Sequence, residues 1–252
     1  GIVQKILNDD NVFMKLTGIR DIDNYTYMHS VDVCIYSVIA GKSMNLPEDK
    51  IRQLGLGSIL HDIGKCKIPL SILNKPARLT KSEYEIIKRH TDFGYDIVSE
   101  TPDVNPTVAN IALYHHEHWD GTGYPARKAG KDIDLMARIV AVADVYDALT
   151  ANRVYRKRFM PHEAAEYIMA NSAQHFDPEI LKVFLDNIAV YPADIIVMLN
   201  TGEIARVVEA KGEMSIRPKV MVITRKEGPP VLDPYEIDLR ENTNINIIDI
   251  LS

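Results

Sequence analysis

Histidine and aspartate recur along this chain at intervals that suit one metal-binding cluster per helix: His29, the adjacent pair His61-Asp62, His90, the pair His115-His116, and Asp144. Imidazole nitrogens and carboxylate oxygens are together good ligands for divalent transition metals. A carboxylate set in an apolar run is costly unless a cation compensates it. Both aspartates follow such runs, Ser58 to Leu60 before Asp62 and Leu135 to Ala143 before Asp144. Any one of these residues alone also reads as a helix end or a hydrogen-bonded core histidine. Four or more histidines with two aspartates, however, exceed what a single ion needs. The economical reading is a dinuclear centre bridged by Asp62, and its mixed ligation suits Fe, Mn, Zn, Ni or Co.

The elements that must hold this set are mainly helical. A helix is expected over residues 25–43, where His29, Val33, Tyr36 and Ala40 share a face. Pro47, Glu48 and Asp49 open the next, which leads to His61-Asp62. Gly55 and Gly57 within it make an incomplete phosphate-loop pattern and read as close-packing positions. Thr80-Lys81-Ser82-Glu83 is a capping box whose helix is expected to continue through Ile86-Ile87 to His90. Another is expected over about 106–117, ending in Tyr114-His115-His116-Glu117, and the most apolar over 135–150, carrying Asp144 and, one turn later, Asp147. Two more begin at Pro161 and Asp177-Pro178. His118, His162 and His175 fall at helix starts or in loops and read as structural or exposed.

Near Tyr191-Pro192 the period changes to that of strands: Ile195 to Leu199, Glu203 to Glu209, Lys219 to Thr224 and Tyr235 to Asp238. The expected fold is therefore mainly α, a multi-helix bundle over residues 1–190 with a small antiparallel β appendage over 191–252. Residues 1–20 read as a helix or a connector from an upstream domain.

Composition narrows the function classes. The net charge of −6 argues against binding to a nucleic-acid polymer through overall charge. The basic cluster Arg153, Arg156, Lys157 and Arg158, close behind Asp144, reads as a solvated face or, from its place beside that aspartate, as a candidate anion site. Two cysteines, Cys34 and Cys66, suit thiols in a reducing cytoplasm, and no membrane-spanning segment is expected.

The motifs His29-Ser30, His61-Asp62-Ile63-Gly64-Lys65, His90, His115-His116-Glu117-His118-Trp119-Asp120-Gly121-Thr122-Gly123-Tyr124-Pro125 and Asp144-Val145-Tyr146-Asp147 resemble those of the HD-GYP family. The resemblance spans roughly residues 20–190. It implies an HD-type phosphohydrolase fold and hydrolysis of cyclic di-GMP to linear pGpG, in some members on to GMP, by attack of a hydroxide that bridges the metals. It implies His29, His61, Asp62, His90, His115, His116 and Asp144 as metal ligands. Fe or Mn are the foremost ions for the two sites, with Zn, Ni and Co as further choices. Asp62 and Lys65 are the implied catalytic residues. Lys65, Arg153 and Arg156 would hold phosphate, Gly123, Tyr124 and Pro125 would border the substrate, and Asp147 would be an outer partner of a ligand. Tyr25 stands where members with a third metal can carry glutamate, so two ions are expected. An upstream sensory or receiver domain and GGDEF-type partner proteins are also implied. Two rival readings are a cyclic di-GMP receptor with weak turnover and an HD-type di-iron oxygenase, which a product assay with and without dioxygen would separate.

Overall fold

The structure, a computed structural model, describes residues 24–151, 159–188, 190–191, 193–210, 216–225 and 230–251. The expected N-terminal connector, the side chain of Tyr25, and Arg153, Arg156, Lys157 and Arg158 lie outside the described residues.

Helix α1 (Asn24–Ser43) buries His29, Val33 and Ala40 on one side, as their spacing predicts. Helix α2 (Glu48–Leu60) starts after Pro47 with two acidic residues in its first turn. Its Gly57 is a packing position, since a Cβ there would come 2.2 Å from Ile111 Cδ1. A 3-10 turn, Ile63–Lys67, and the short α3 (Leu70–Leu73) lead to α4 (Lys81–Lys88). In α4 the Thr80 hydroxyl accepts from the Glu83 amide, and the Glu83 carboxylate accepts from the Thr80 amide.

Here the structure corrects the sequence reading. The helix from Thr80 does not run through to His90. It stops at Lys88, and α5 (His90–Ser99) begins afresh after Arg89, whose amide turns back to the Ile86 and Ile87 carbonyls. The cause is tertiary. Gly64 presses so close to the start of α5 that a Cβ on it would sit 1.9 Å from the His90 carbonyl oxygen and 2.5 Å from the Gly94 amide nitrogen.

Helix α6 (Pro106–Tyr114) is also shorter than expected, because His115 is its cap and the chain leaves the axis there. Helix α7 (Leu135–Thr150), capped by Asp134, is the central element: Ala137, Ile139, Val140, Val142 and Ala143 are all fully buried. A helix apolar on all sides is covered on all sides. Helices α8 (Pro161–Ala170) and α9 (Pro178–Asn187) pack against it, and Asp177 caps α9.

The sheet is antiparallel in the order β4-β3-β2-β1-β5, with β1 Ile196–Leu199, β2 Ile204–Glu209, β3 Lys219–Thr224, β4 Pro230–Asp238 and β5 Ile247–Ile250. Strand β4 starts earlier than expected, and β5 was not foreseen. Alternate residues Val197, Leu199, Ala205, Val207, Val220 and Val222 turn to one buried face. That face joins the same apolar core as Val33, Tyr146 and Phe184, so helices and sheet share one interior. A smaller core of Leu56, Leu60, Ile63, Ile97, Val98, Val108 and Ala109 underlies the histidine cluster. The architecture is mainly α with a small antiparallel sheet. Among the described residues, no helix is long and apolar enough to cross a membrane.

Candidate metal centre

Six elements deliver the expected ligands to one place. His29 comes from α1, His61 from the end of α2, Asp62 from the entry to the 3-10 turn, His90 from the first position of α5, His115 and His116 from the end of α6, and Asp144 from α7. All but His116 are buried, and His116 is partly open to solvent.

The nitrogens are sorted. His61 Nδ1 lies 2.7 Å from the Ser58 carbonyl oxygen, His90 Nδ1 2.7 Å from that of Ile87, and His115 Nδ1 3.0 Å from that of Ala112. In each case Nδ1–H donates to the carbonyl three residues earlier, which leaves the Nε2 lone pair facing inward. His29 Nδ1 meets the Asp147 carboxylate at 2.6 Å, so Asp147 fixes that ring through its far side.

The two oxygens of Asp62 face different histidines. Oδ2 lies 3.3 Å from His61 Nε2 and 3.9 Å from His29 Nε2, whereas Oδ1 lies 3.4 Å from His90 Nε2 and 4.0 Å from His115 Nε2. Asp144 offers Oδ1 3.0 Å from His29 Nε2 and Oδ2 4.0 Å from His116 Nδ1. Two donor groups thus share Asp62: His29 and His61 with it on one side, and His90, His115 and His116 with it on the other. Among the described residues, buried His61 Nε2 and Asp62 Oδ1 have no hydrogen-bond partner. Orphaned buried polar atoms are rare, and here they belong to lone-pair donors that converge. The donor set fits divalent cations.

The electrostatics are sharply divided. Burial and the neighbouring histidines push His115 well below its ordinary value, burial pushes His90 down, and burial takes His116 down to about 3. These rings are neutral and ready to ligate. Burial also disfavours a charge on His29, but its hydrogen bonds to the Asp144 and Asp147 carboxylates outweigh it and raise the group to about 9. Burial would raise Asp62, yet Lys65 and the histidines hold it well below the usual carboxylate range.

A pH dependence of the metal-free protein follows. The unfolded chain takes up protons on histidines below 6.5 while His116 stays neutral in the fold, so stability is lost as pH falls from 6.5 toward 3. His29 acts oppositely. Its contribution is fully present below 6.5 and is lost as pH rises through about 9. Chemical denaturation of chelator-treated protein should therefore show greatest stability near pH 6.5, and a steady rise from 6.5 to 9 would contradict the His29 assignment.

The centre opens at His90 and His116 into a cleft of about 1000 Å³. Lys65 stands at its inner end, with Nζ 2.5 Å from Asp62 Oδ2. Gly123, Tyr124 and Pro125 form one side. Gly123 is required there, since a Cβ would come 2.3 Å from the His118 amide nitrogen and 2.5 Å from the His116 carbonyl oxygen. The Tyr124 ring stacks on His116 at 4.9 Å.

Sequence reasoning missed how this loop is held. The buried Glu117 carboxylate accepts the Ala126 and Lys128 amides at 2.7 and 3.1 Å. Its only signal was its place directly after His115-His116. Trp119 braces the loop from behind under Arg138, away from the cleft. Tyr84, Glu85, Lys88, Arg89 and Arg127, also not foreseen, line the cleft. His118 and His175 stack on each other, and the His162 ring stacks on Tyr191. None of the three appears among the donor groups. Among the described residues, Cys34 and Cys66 form no disulfide.

Comparison with known proteins gives two family matches. A model described as "HD domain" matches residues 3–180, and one described as "KOW domain associated with HD domain" matches residues 196–252. The cyclic di-GMP phosphodiesterase PA4108 of Pseudomonas aeruginosa is 37% identical over 238 residues, covering 94% of this chain and 57% of that protein. A 3'3'-cGAMP-specific phosphodiesterase of Vibrio cholerae is 37% identical over 163 residues, covering 64% and 31%. The chain thus spans less than two thirds of the length of these relatives. A solved structure of Bd1817, an HDG"Y"P protein from Bdellovibrio bacteriovorus, matches with a TM-score of 0.53 at 25% identity over 73% of this chain and 58% of that one.

Proposed function

The chain belongs to the HD domain family, and from that premise we propose that it is a metal-dependent phosphodiesterase that opens cyclic di-GMP to linear pGpG. The observation that carries the reading is the division of Asp62 between two donor groups at the inner end of a cleft with cationic walls. The relative from P. aeruginosa, named a cyclic di-GMP phosphodiesterase, supports the substrate. The relative from V. cholerae, named for 3'3'-cGAMP, supports a mixed cyclic dinucleotide as a second substrate.

His29, His61, Asp62, His90, His115, His116 and Asp144 would hold two divalent ions, with Fe or Mn foremost. When bound, the ions supply Lewis acidity toward phosphate oxygen and a water of lowered pKa. The remaining work falls to the chain. Asp62 spans the two donor groups, and Asp147 keeps Nε2 of His29 directed at the centre. The Lys65 ammonium, beside Asp62, neutralises charge that develops on the phosphate and supplies a proton to the departing 3′ oxygen. Gly123 lets the loop backbone close over His116, and Tyr124 and Pro125 form the adjoining wall. Arg153 and Arg156 are assigned to the substrate phosphates. With Tyr25 at the third-metal position, onward hydrolysis of pGpG to GMP is expected to be inefficient. The division of the chain at residue 190, with 191–252 as an appended unit, belongs to the same proposal, as does action in the cytoplasm.

The test is metal analysis of anaerobically prepared protein followed by chromatography of its products from cyclic di-GMP. Accumulation of pGpG, abolished by a chelator, is expected. Unchanged cyclic di-GMP with fully metal-loaded protein would overturn the reading.

A further inference from the structure

The side of the cleft built by α4 is unused by the chemistry above, and its side chains form an ordered path outward from the metal centre. The His116 ring carries the Tyr124 ring stacked on it at 4.9 Å. Tyr84, on α4, lines the same cleft as Tyr124. Lys88 Nζ sits 5.5 Å from the centroids of both tyrosine rings, and an ion pair of 2.6 Å with Glu85 ties it down. Two aromatic rings with an ammonium beside both, one helix turn from a carboxylate, place an apolar surface next to one fixed donor and one fixed acceptor.

Resting on the phosphodiesterase reading, we propose that Tyr84, Glu85 and Lys88 form the purine-recognition subsite of this cleft, with Lys88 selecting guanine over adenine. The edge chemistry decides the base. Guanine presents two adjacent acceptors, O6 and N7, which lysine or arginine satisfies, whereas adenine places an amino donor beside N7. An ammonium facing the adenine amino group meets a donor with a donor. Glu85 is an acceptor for the N1–H and N2 amino group on the other edge of guanine, which adenine lacks. Lys88 therefore acts as a specificity determinant, and it is absent from the donor groups that would hold metal.

The experiment compares cyclic di-GMP with cyclic di-AMP on the metal-loaded full chain and on Lys88→Met, which keeps the aliphatic stem between the rings and removes the charge. Metal content is measured on both proteins and the rates are referred to it. The unsubstituted protein is expected to favour the guanine substrate. Lys88→Met should lower kcat/KM for cyclic di-GMP about tenfold or more, at the lower end of what a good base contact is worth, with cyclic di-AMP little changed. Tyr84→Ala should weaken both substrates. A preference ratio that Lys88→Met leaves within about twofold of its starting value overturns the subsite while leaving the phosphodiesterase reading intact. A preference for cyclic di-AMP in the unsubstituted protein also overturns it. Hydrolysis of neither compound by fully metal-loaded protein defeats the phosphodiesterase reading, and the subsite with it.

Discussion

Asp62→Ala is expected to strip the protein of bound metal and to lower hydrolysis of cyclic di-GMP by at least ~10³-fold, the upper range for losing one group aimed at transition-state charge. The reason lies in how its two oxygens are shared. Oδ2 faces His61 and His29, and Oδ1 faces His90 and His115, so one substitution removes a donor from both groups. The fold should survive, because the substitution removes the fully buried charge of the pair and leaves only the one that can reach solvent. Lys65 is the cation left behind, and it is partly exposed to solvent. Metal content and product chromatography on the same preparation read the two effects together. Full turnover by Asp62→Ala protein that holds no metal would defeat the assignment of Asp62.

Lys65→Met separates holding the centre from acting on the substrate. Its ammonium lies against Asp62 Oδ2 yet faces the cleft. If it serves the phosphate, the variant keeps its metal and loses kcat by about 10² to 10³, as expected for a preorganised donor, while KM changes far less. If it only balances the charge of Asp62, added metal restores turnover. Rescue by excess metal is therefore the result that would reassign Lys65 to a structural role.

The histidine and aspartate cluster was legible in the sequence because His61, Asp62, His90, His115 and His116 fall at the ends of elements, and His29 and Asp144 within helices, whose local signals are strong. Apolar spacing marked α1 and α7, a capping box marked α4, and proline or aspartate marked the starts of α2, α6 and α9. What could not be read is what distant contacts decide. Arg89 carries no glycine or proline to announce a break, and the break there reflects the close approach of Gly64 to the His90 carbonyl. Strand β5 is four residues long and pairs with β1, far back along the chain. The wall of Tyr84, Glu85 and Lys88 was hidden for a similar reason. On a single amphipathic helix these residues read as an ordinary solvated face until the loop carrying Tyr124 is laid across them.

The three carbonyl acceptors at His61, His90 and His115 bear on the choice of ion. Ser58, Ile87 and Ala112 each lie in the last turn of a helix, α2, α4 and α6. Carbonyl oxygens in that turn carry the negative end of the helix macrodipole. Three helices therefore direct their negative poles at one point through three imidazoles, making each Nε2 a stronger electron donor. Such a field favours a higher positive charge at the centre, so a redox-active metal held there would have its oxidised state stabilised and its reduction potential lowered.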